Sequence, residues 1–299
     1  MLQRTCYLGD DDLGSAAIYL AGLMTHFGLP LDHVPSSRPP DAAFAARRYA
    51  LYVVSDYPAA RFRSGELEHV AACVQAGSGL AMLGGWESFH GRLGEYHRSP
   101  LAEVLPVEMA SADDRRNCAQ PCLIRQVAAH PILEGLPWDR PPGIGGFNAF
   151  TARPAAQTLL TAVQFEVRRV RTDSLALGGR GQGEGDGREA LTSILNSPLT
   201  PDPSPANEEG RGAFAFSPVA ESPLLVVGEY GCGRTAALAT DVAPHWVGGL
   251  VDWGDQRVVQ NVGSGFIDVG NWYARFFRNL LVWTGRLEAG ERRPRMEHG

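Results

Sequence analysis

Residues 77–91 read GSGLAMLGGWESFHG, an uninterrupted apolar run from Gly79 to Leu83 closed by the pair Gly84 and Gly85. A run so short and so free of polar alternation is a strand buried on both faces, and such strands belong to parallel sheets covered by helices on both sides. A strand ending in glycines is also the backbone of a nucleophile elbow, the tight turn that projects a thiol or hydroxyl from the sheet edge. Here no Cys or Ser follows the first glycine pair, and Trp86 and Glu87 take the projecting positions. The segment therefore dictates an architecture while withholding the chemistry that usually goes with it.

The residues before it alternate apolar runs with helical periodicity, as helices covering a parallel sheet require. Strands are expected at Thr5 to Gly9, Leu31 to Val34 and Tyr49 to Ser55, and helices at Gly14 to Phe27 and Glu66 to Ala76. Ser64 is the expected N-cap of the second helix, with Leu67, Val70, Ala71 and Val74 as its inward stripe. Beyond residue 100 the pattern is mixed: Glu103 to Val107, Pro121 to Val127 and Gln157 to Val170 read as extended, and His130 to Leu136 as a proline-bounded turn. Leu224 to Glu229 and Arg234 to Thr240 flank YGCG, which predicts a β-hairpin. Asn271 to Arg286 predicts a closing amphipathic helix, with Trp272, Phe276, Asn279, Leu280 and Trp283 at helical spacing. The class is α/β: a doubly wound, mostly parallel sheet with helices on both faces and a late hairpin.

Between Val170 and Phe214 the composition changes, with GGRGQGEGDG followed by SPLTPDPSPANEEGRG. Such a stretch cannot bury enough apolar surface to offset its ordering entropy. Residues 171–212 are thus expected to be a disordered insertion in one domain made of 1–170 and 213–287, with 288–299 a flexible tail.

A net charge of -6 and the lack of a basic stripe argue against nucleic acid as partner. All 27 cationic residues are arginine, which removes Schiff-base lysines and a P-loop lysine from consideration. Cys6, Cys73, Cys118, Cys122 and Cys232 are odd in number and irregularly spaced, as free thiols of a reducing cytoplasm are. No apolar window reaches the roughly 18 residues of a membrane span, and the N-terminus lacks an apolar leader core. CAQPC does not supply the second ligand pair that zinc needs, so no metal and no cofactor is expected.

In open parallel sheets, ligands sit beyond the carboxyl ends of the strands. That rule selects Asp10 after the first strand, Asp56 after the third, Trp86 and Glu87 after the elbow, and Asp241, His245 and Trp246 after the hairpin. Asp10, Asp11 and Asp12 have the oxygen chemistry of a Mg²⁺ site, although capping of the next helix is the preferred reading. His245, bracketed by Pro244 and Trp246, is the sharpest candidate for a hydrogen-bonding or base role. Ser88 is the nearest hydroxyl to the elbow, two or three residues past the nucleophile position. Trp246, Trp253 and Trp272 offer either a stacking wall or ordinary core packing.

GSGLAMLGGWESFHG, AAHPILEGLPW, PLLVVGEYGCGRTAALATD and DVAPHW, in this order, resemble the class I glutamine amidotransferase-like families, particularly a group related to trehalose-utilisation-type proteins. The resemblance implies a flavodoxin-like sheet. Glutaminases of that class carry a Cys at the elbow and a His followed closely by Glu, whereas this chain has Gly85 or Trp86 at the first place and His245 without that carboxylate at the second. Three functions are expected to compete. One is a non-glutaminase domain binding a small polar ligand; another is a hydrolase or amidotransferase with relocated residues, His245 with Ser88 or Glu87. The last is an interaction module, homo-oligomeric or with another protein, using the Trp-rich segment 244–253.

Overall fold

The computed structural model describes residues 4–13, 15–170 and 213–288. The expected insertion at 171–212 and all but the first residue of the expected tail lie outside them.

Among the described residues nine strands form the main sheet, and its two halves are built differently. In the first half β1 (Thr5–Gly9) lies between β2 (Leu31–Val34) and β3 (Leu51–Ser55), followed by β4 (Gly79–Leu83) and β11 (Gly233–Leu238), all parallel. Every residue of β1, β3 and β4 is buried, as their unbroken apolar runs require, whereas the edge strand β2 keeps the polar Asp32 and His33 half exposed. In the second half β10 (Ala213–Tyr230), β9 (Gln157–Val170), β6 (Arg115–Gln126) and β7 (Gly143–Asn148) continue antiparallel from β11. The β10–β11 turn is the hairpin expected around YGCG.

Helix α1 (Ala17–His26) packs with the C-terminal helix Asn271–Gly285, and α2 (Glu66–Gln75) packs with a short helix, Leu101–Val104. The C-terminal helix approaches β4 so closely that a Cβ on Gly79 would lie 2.2 Å from the Thr284 carbonyl oxygen. With this covering the sheet is the doubly wound, flavodoxin-like α/β arrangement.

Several local expectations need correction. The cap of α2 is Gly65 at φ 86°, not Ser64, and Glu66 closes the turn by accepting from the Arg63 N–H at 2.6 Å. Of the expected extended stretch Glu103 to Val107, residues 103 and 104 instead end a short helix, Leu101–Val104, because the Ser99 hydroxyl accepts the Leu101 N–H and Pro100 presets the first turn. The C-terminal helix buries Tyr273, Ala274, Phe276, Phe277, Leu280 and Leu281, so Trp272, Asn279 and Trp283 lie on the flank of the core face. A second hairpin, β12 (Arg257–Val262) with β13 (Gly265–Gly270), covers α1, and β5 (Val107–Met109) pairs with β8 (Phe150–Ala152); neither pair was expected.

Candidate active site at the elbow rim

Register brings Gly9, Ser55 and Leu83 level at the ends of β1, β3 and β4, so Asp10, Asp56 and Gly84 emerge side by side. Both aspartates turn out of their strands with left-handed backbone, Asp10 at φ 29° and Asp56 at φ 51°. Asp tolerates that region better than most residues, and a pair of such outliers on neighbouring strands is the kind of local strain that gathers at functional sites.

Asp56 holds the elbow. Its N–H donates to the Ser88 hydroxyl at 2.9 Å and its carboxylate accepts the Glu87 N–H at 2.7 Å. A Cβ built on Gly85 would stand 2.1 Å from the Asp56 Oδ1 and 2.3 Å from Oδ2. The carboxylate of Asp56 thus fills the space into which an elbow side chain would project.

Asp10, Asp241 and His245 complete the rim. His245 Nδ1 lies 3.4 Å from Asp241 Oδ2, and the other Asp241 oxygen accepts the Ala243 N–H at 2.9 Å, just ahead of the short helix Pro244–Val247. Asp241 is buried while the His245 side chain is 69% exposed, an imidazole held from beneath and open to solvent above. Burial, and then the charge of Asp241, push the Asp10 carboxyl up to about 7, against the opposing pull of His245 and of the Tyr7 hydroxyl that donates at 3.4 Å. The same two causes hold the Asp56 carboxyl well above the usual carboxylate range. The hydrogen bond to Asp241 raises His245, and burial raises Glu87, which Arg61 counteracts. The rim therefore keeps a proton on Asp10 up to about 7, beside an imidazole whose proton affinity Asp241 raises.

The remaining candidates separate. Trp86 is 50% exposed, with the Arg115 guanidinium stacked 4.5 Å from its ring centre. Ser88 is fully buried, with its oxygen occupied by the Asp56 N–H, and Trp246 is buried with its indole N–H on Asn117 Oδ1 at 2.9 Å. Trp253 is buried as well, against Trp138 and Trp272. The expected exposed Trp-rich surface at 244–253 is accordingly absent at both tryptophans, because each indole has found a polar partner inside the protein.

Sequence reasoning missed the residues that fix the elbow from the far side. The sheet curls until β7, last in the strand order, ends beside β11: the Asn148 N–H donates to the Ala239 carbonyl at 2.9 Å. The Asn148 side chain accepts the Gly85 N–H at 2.9 Å and donates to the Gly85 carbonyl at 3.1 Å and to Asp114 at 2.7 Å. Asp114, fully buried, also accepts the N–H groups of His90 and Gly91. A polar residue inside a Gly-rich strand was the available signal for Asn148. Asp114 gave none, since its partners are remote in sequence. Among the described residues, no group of three or more His, Cys, Asp or Glu side chains is arranged to hold a metal ion.

Residues 51–185, which carry the elbow, match the family described as "Putative glutamine amidotransferase". Two Salmonella typhimurium proteins, each described as a cytoplasmic protein, share the fold from end to end. One has a TM-score of 0.60 and 22% identity over 94% of this chain and 98% of its own; the other has 0.62 and 22% over 94% and 99%. A thua-like protein of Parabacteroides merdae is more distant, at a TM-score of 0.49 and 12% identity over 99% of this chain and 94% of its own. No curated protein matches the chain. The likeness carries the fold, and the residue match makes residues 51–185 similar to the family described as "Putative glutamine amidotransferase".

Proposed function

We propose that the elbow rim is a non-glutaminase site that binds a small polar ligand rich in hydroxyl or ammonium donors. The observation that carries this reading is the Asp56 carboxylate standing where the elbow side chain would project. Acyl transfer needs a nucleophile and free amides aimed at a developing oxyanion. Around this elbow the amides of Gly85, Glu87, His90 and Gly91 donate instead to Asn148, Asp56 and Asp114. Asp10, Asp56, Asp241 and Glu87 supply acceptors, the protonated forms of Asp10 and Asp56 supply donors, and the exposed Trp86 face offers a stacking platform of the sort sugars and other ring-shaped ligands use. A cytoplasmic setting suits the five free thiols.

A second reading rests on the Asp241–His245 contact. An imidazole oriented by a buried carboxylate and open to solvent is poised to accept a proton from a bound hydroxyl, with Asp56 as the acid that returns one. This is the relocated-residue hydrolase in the form the geometry favours, without Ser88.

The test is a thermal-shift screen against glutamine, monosaccharides, polyols and amines, repeated on Glu87→Gln and His245→Ala. A ligand at a hundred times its dissociation constant adds about 2.7 kcal/mol, a shift of several degrees. Binding that weakens in both variants, with no ammonia from glutamine, supports the site. Ammonia release that His245→Ala abolishes would overturn it.

A further inference from the structure

Beyond Val163, the last β9 residue paired with β6, and before Leu225, the first β10 residue paired with β11, the β9–β10 hairpin leaves the sheet as a two-stranded ribbon. Among the described residues neither outer edge of this ribbon pairs with another strand. Its register places Phe216 opposite Val167 and Pro218 opposite Phe165, so Phe165, Val167, Phe214 and Phe216 share one face and Glu166 and Arg168 the other. Phe214 is 60% exposed and Phe216 51%. A lone two-stranded ribbon is marginal in water, and an open strand edge is a template for another strand.

The two edges are not equivalent. On β10, Pro218 lacks an N–H and the register shifts between Pro218 and Ala220, two devices that spoil an edge for pairing. On β9, residues 165–169 carry no proline and keep unbroken register with β10.

We propose that the free β9 edge pairs antiparallel with the same edge of a second copy of this chain, centred on Val167. The charges select both the occupant and the centre. Pairing about Val167 sets Glu166 of each copy opposite Arg168 of the other, and Phe165 opposite Arg169. A centre at residue 166 opposes Glu166 to itself, and centres at 168 or 169 oppose Arg168 or Arg169 to itself, which like-charge repulsion disfavours. A centre at 165 runs Arg168 into Ala162, which β6 already occupies. The result is a four-stranded ribbon with its apolar faces on one side.

Within one chain Arg168 also reaches Glu166 at 2.9 Å, with both side chains exposed at 73% and 48%. The decisive experiment separates that contact from the one between copies. Full-length protein, Glu166→Arg and Arg168→Glu are weighed by sedimentation equilibrium, singly and as a mixture. The expected result is a wild-type dimer, each single variant weaker by about tenfold, and recovery in the mixture, where each chain supplies the charge the other lacks. The contact within a chain stays broken in both members of the mixture, so recovery reads only pairing between chains. A monomer at every concentration, a dimer indifferent to both swaps, or a mixture no tighter than its components would overturn the proposal. Circular dichroism confirms that each variant is folded.

Discussion

The parallel and antiparallel halves of the sheet divide the labour at the rim. The parallel half supplies the acids of the proposed site: β1, β3, β4 and β11 end along one edge, where Asp10, Asp56 and Asp241 lie. The antiparallel half delivers none of those acids, yet Asn148 at the end of β7 and Asp114 just before β6 grip the elbow on which they converge. A site can be supplied by one kind of sheet and braced by the other, so the acids of the proposed rim and the residues that hold the elbow have different origins in the fold.

The largest test of this division restores what the family would expect. Gly85→Cys puts a Cβ onto the Asp56 carboxylate, and the variant is expected to lose about 3 kcal/mol or more by overpacking and to release no ammonia from glutamine. A Gly85→Cys protein as stable as its parent would show that Asp56 does not own that space. The bracing half is tested next: Asn148→Ala leaves the Gly85 N–H and carbonyl without their side-chain partner, an expected cost of about 2–3 kcal/mol. Hydrogen exchange should then quicken at residues 84–91 ahead of the parallel strands, and uniform quickening would erase the distinction between the halves.

The smallest effect sharpens the chemistry of the parallel half. The Asp10 carboxyl keeps its proton up to about 7 in the folded protein but only to about 3.9 in the unfolded chain, so the folded state binds more protons between those values. Stability therefore falls as pH rises from about 4 through about 7. Asp10→Asn should match the wild type at pH 3 and exceed it by about 1–2 kcal/mol at pH 8, the figure allowing for solvent screening at the rim. Denaturant melts across pH would show parallel curves if Asp10 were not under strain.

The same division explains what the sequence disclosed. Strands β1, β2, β4 and β9 fall at the residues expected of them because each is a short apolar run or a β-branched stretch whose period needs no distant partner. The rim acids followed from the strand-end rule, which works only where strands are parallel and their ends legible. Ser88 and Trp246 failed because the rule gives proximity and not orientation: one lies beneath the elbow, and the other turns toward Asn117. The β5–β8 pair, the β12–β13 hairpin and the Asn148 brace depend on contacts distant in sequence or on edges too polar to register as strands, and no local pattern announces them.

The left-handed backbone at Asp10 and Asp56 has an evolutionary consequence. Under the proposed ligand role, each position is filtered twice, once by the conformation and once by the acid. Asparagine or glycine passes the first filter and fails the second; glutamate keeps the acid but strains the chain. Saturation libraries at these two codons would consequently sort into survivors of folding and survivors of ligand selection, with aspartate the single residue common to both. A lineage that abandoned the ligand would be free to drift to asparagine or glycine at both places while keeping the rest of the sheet intact.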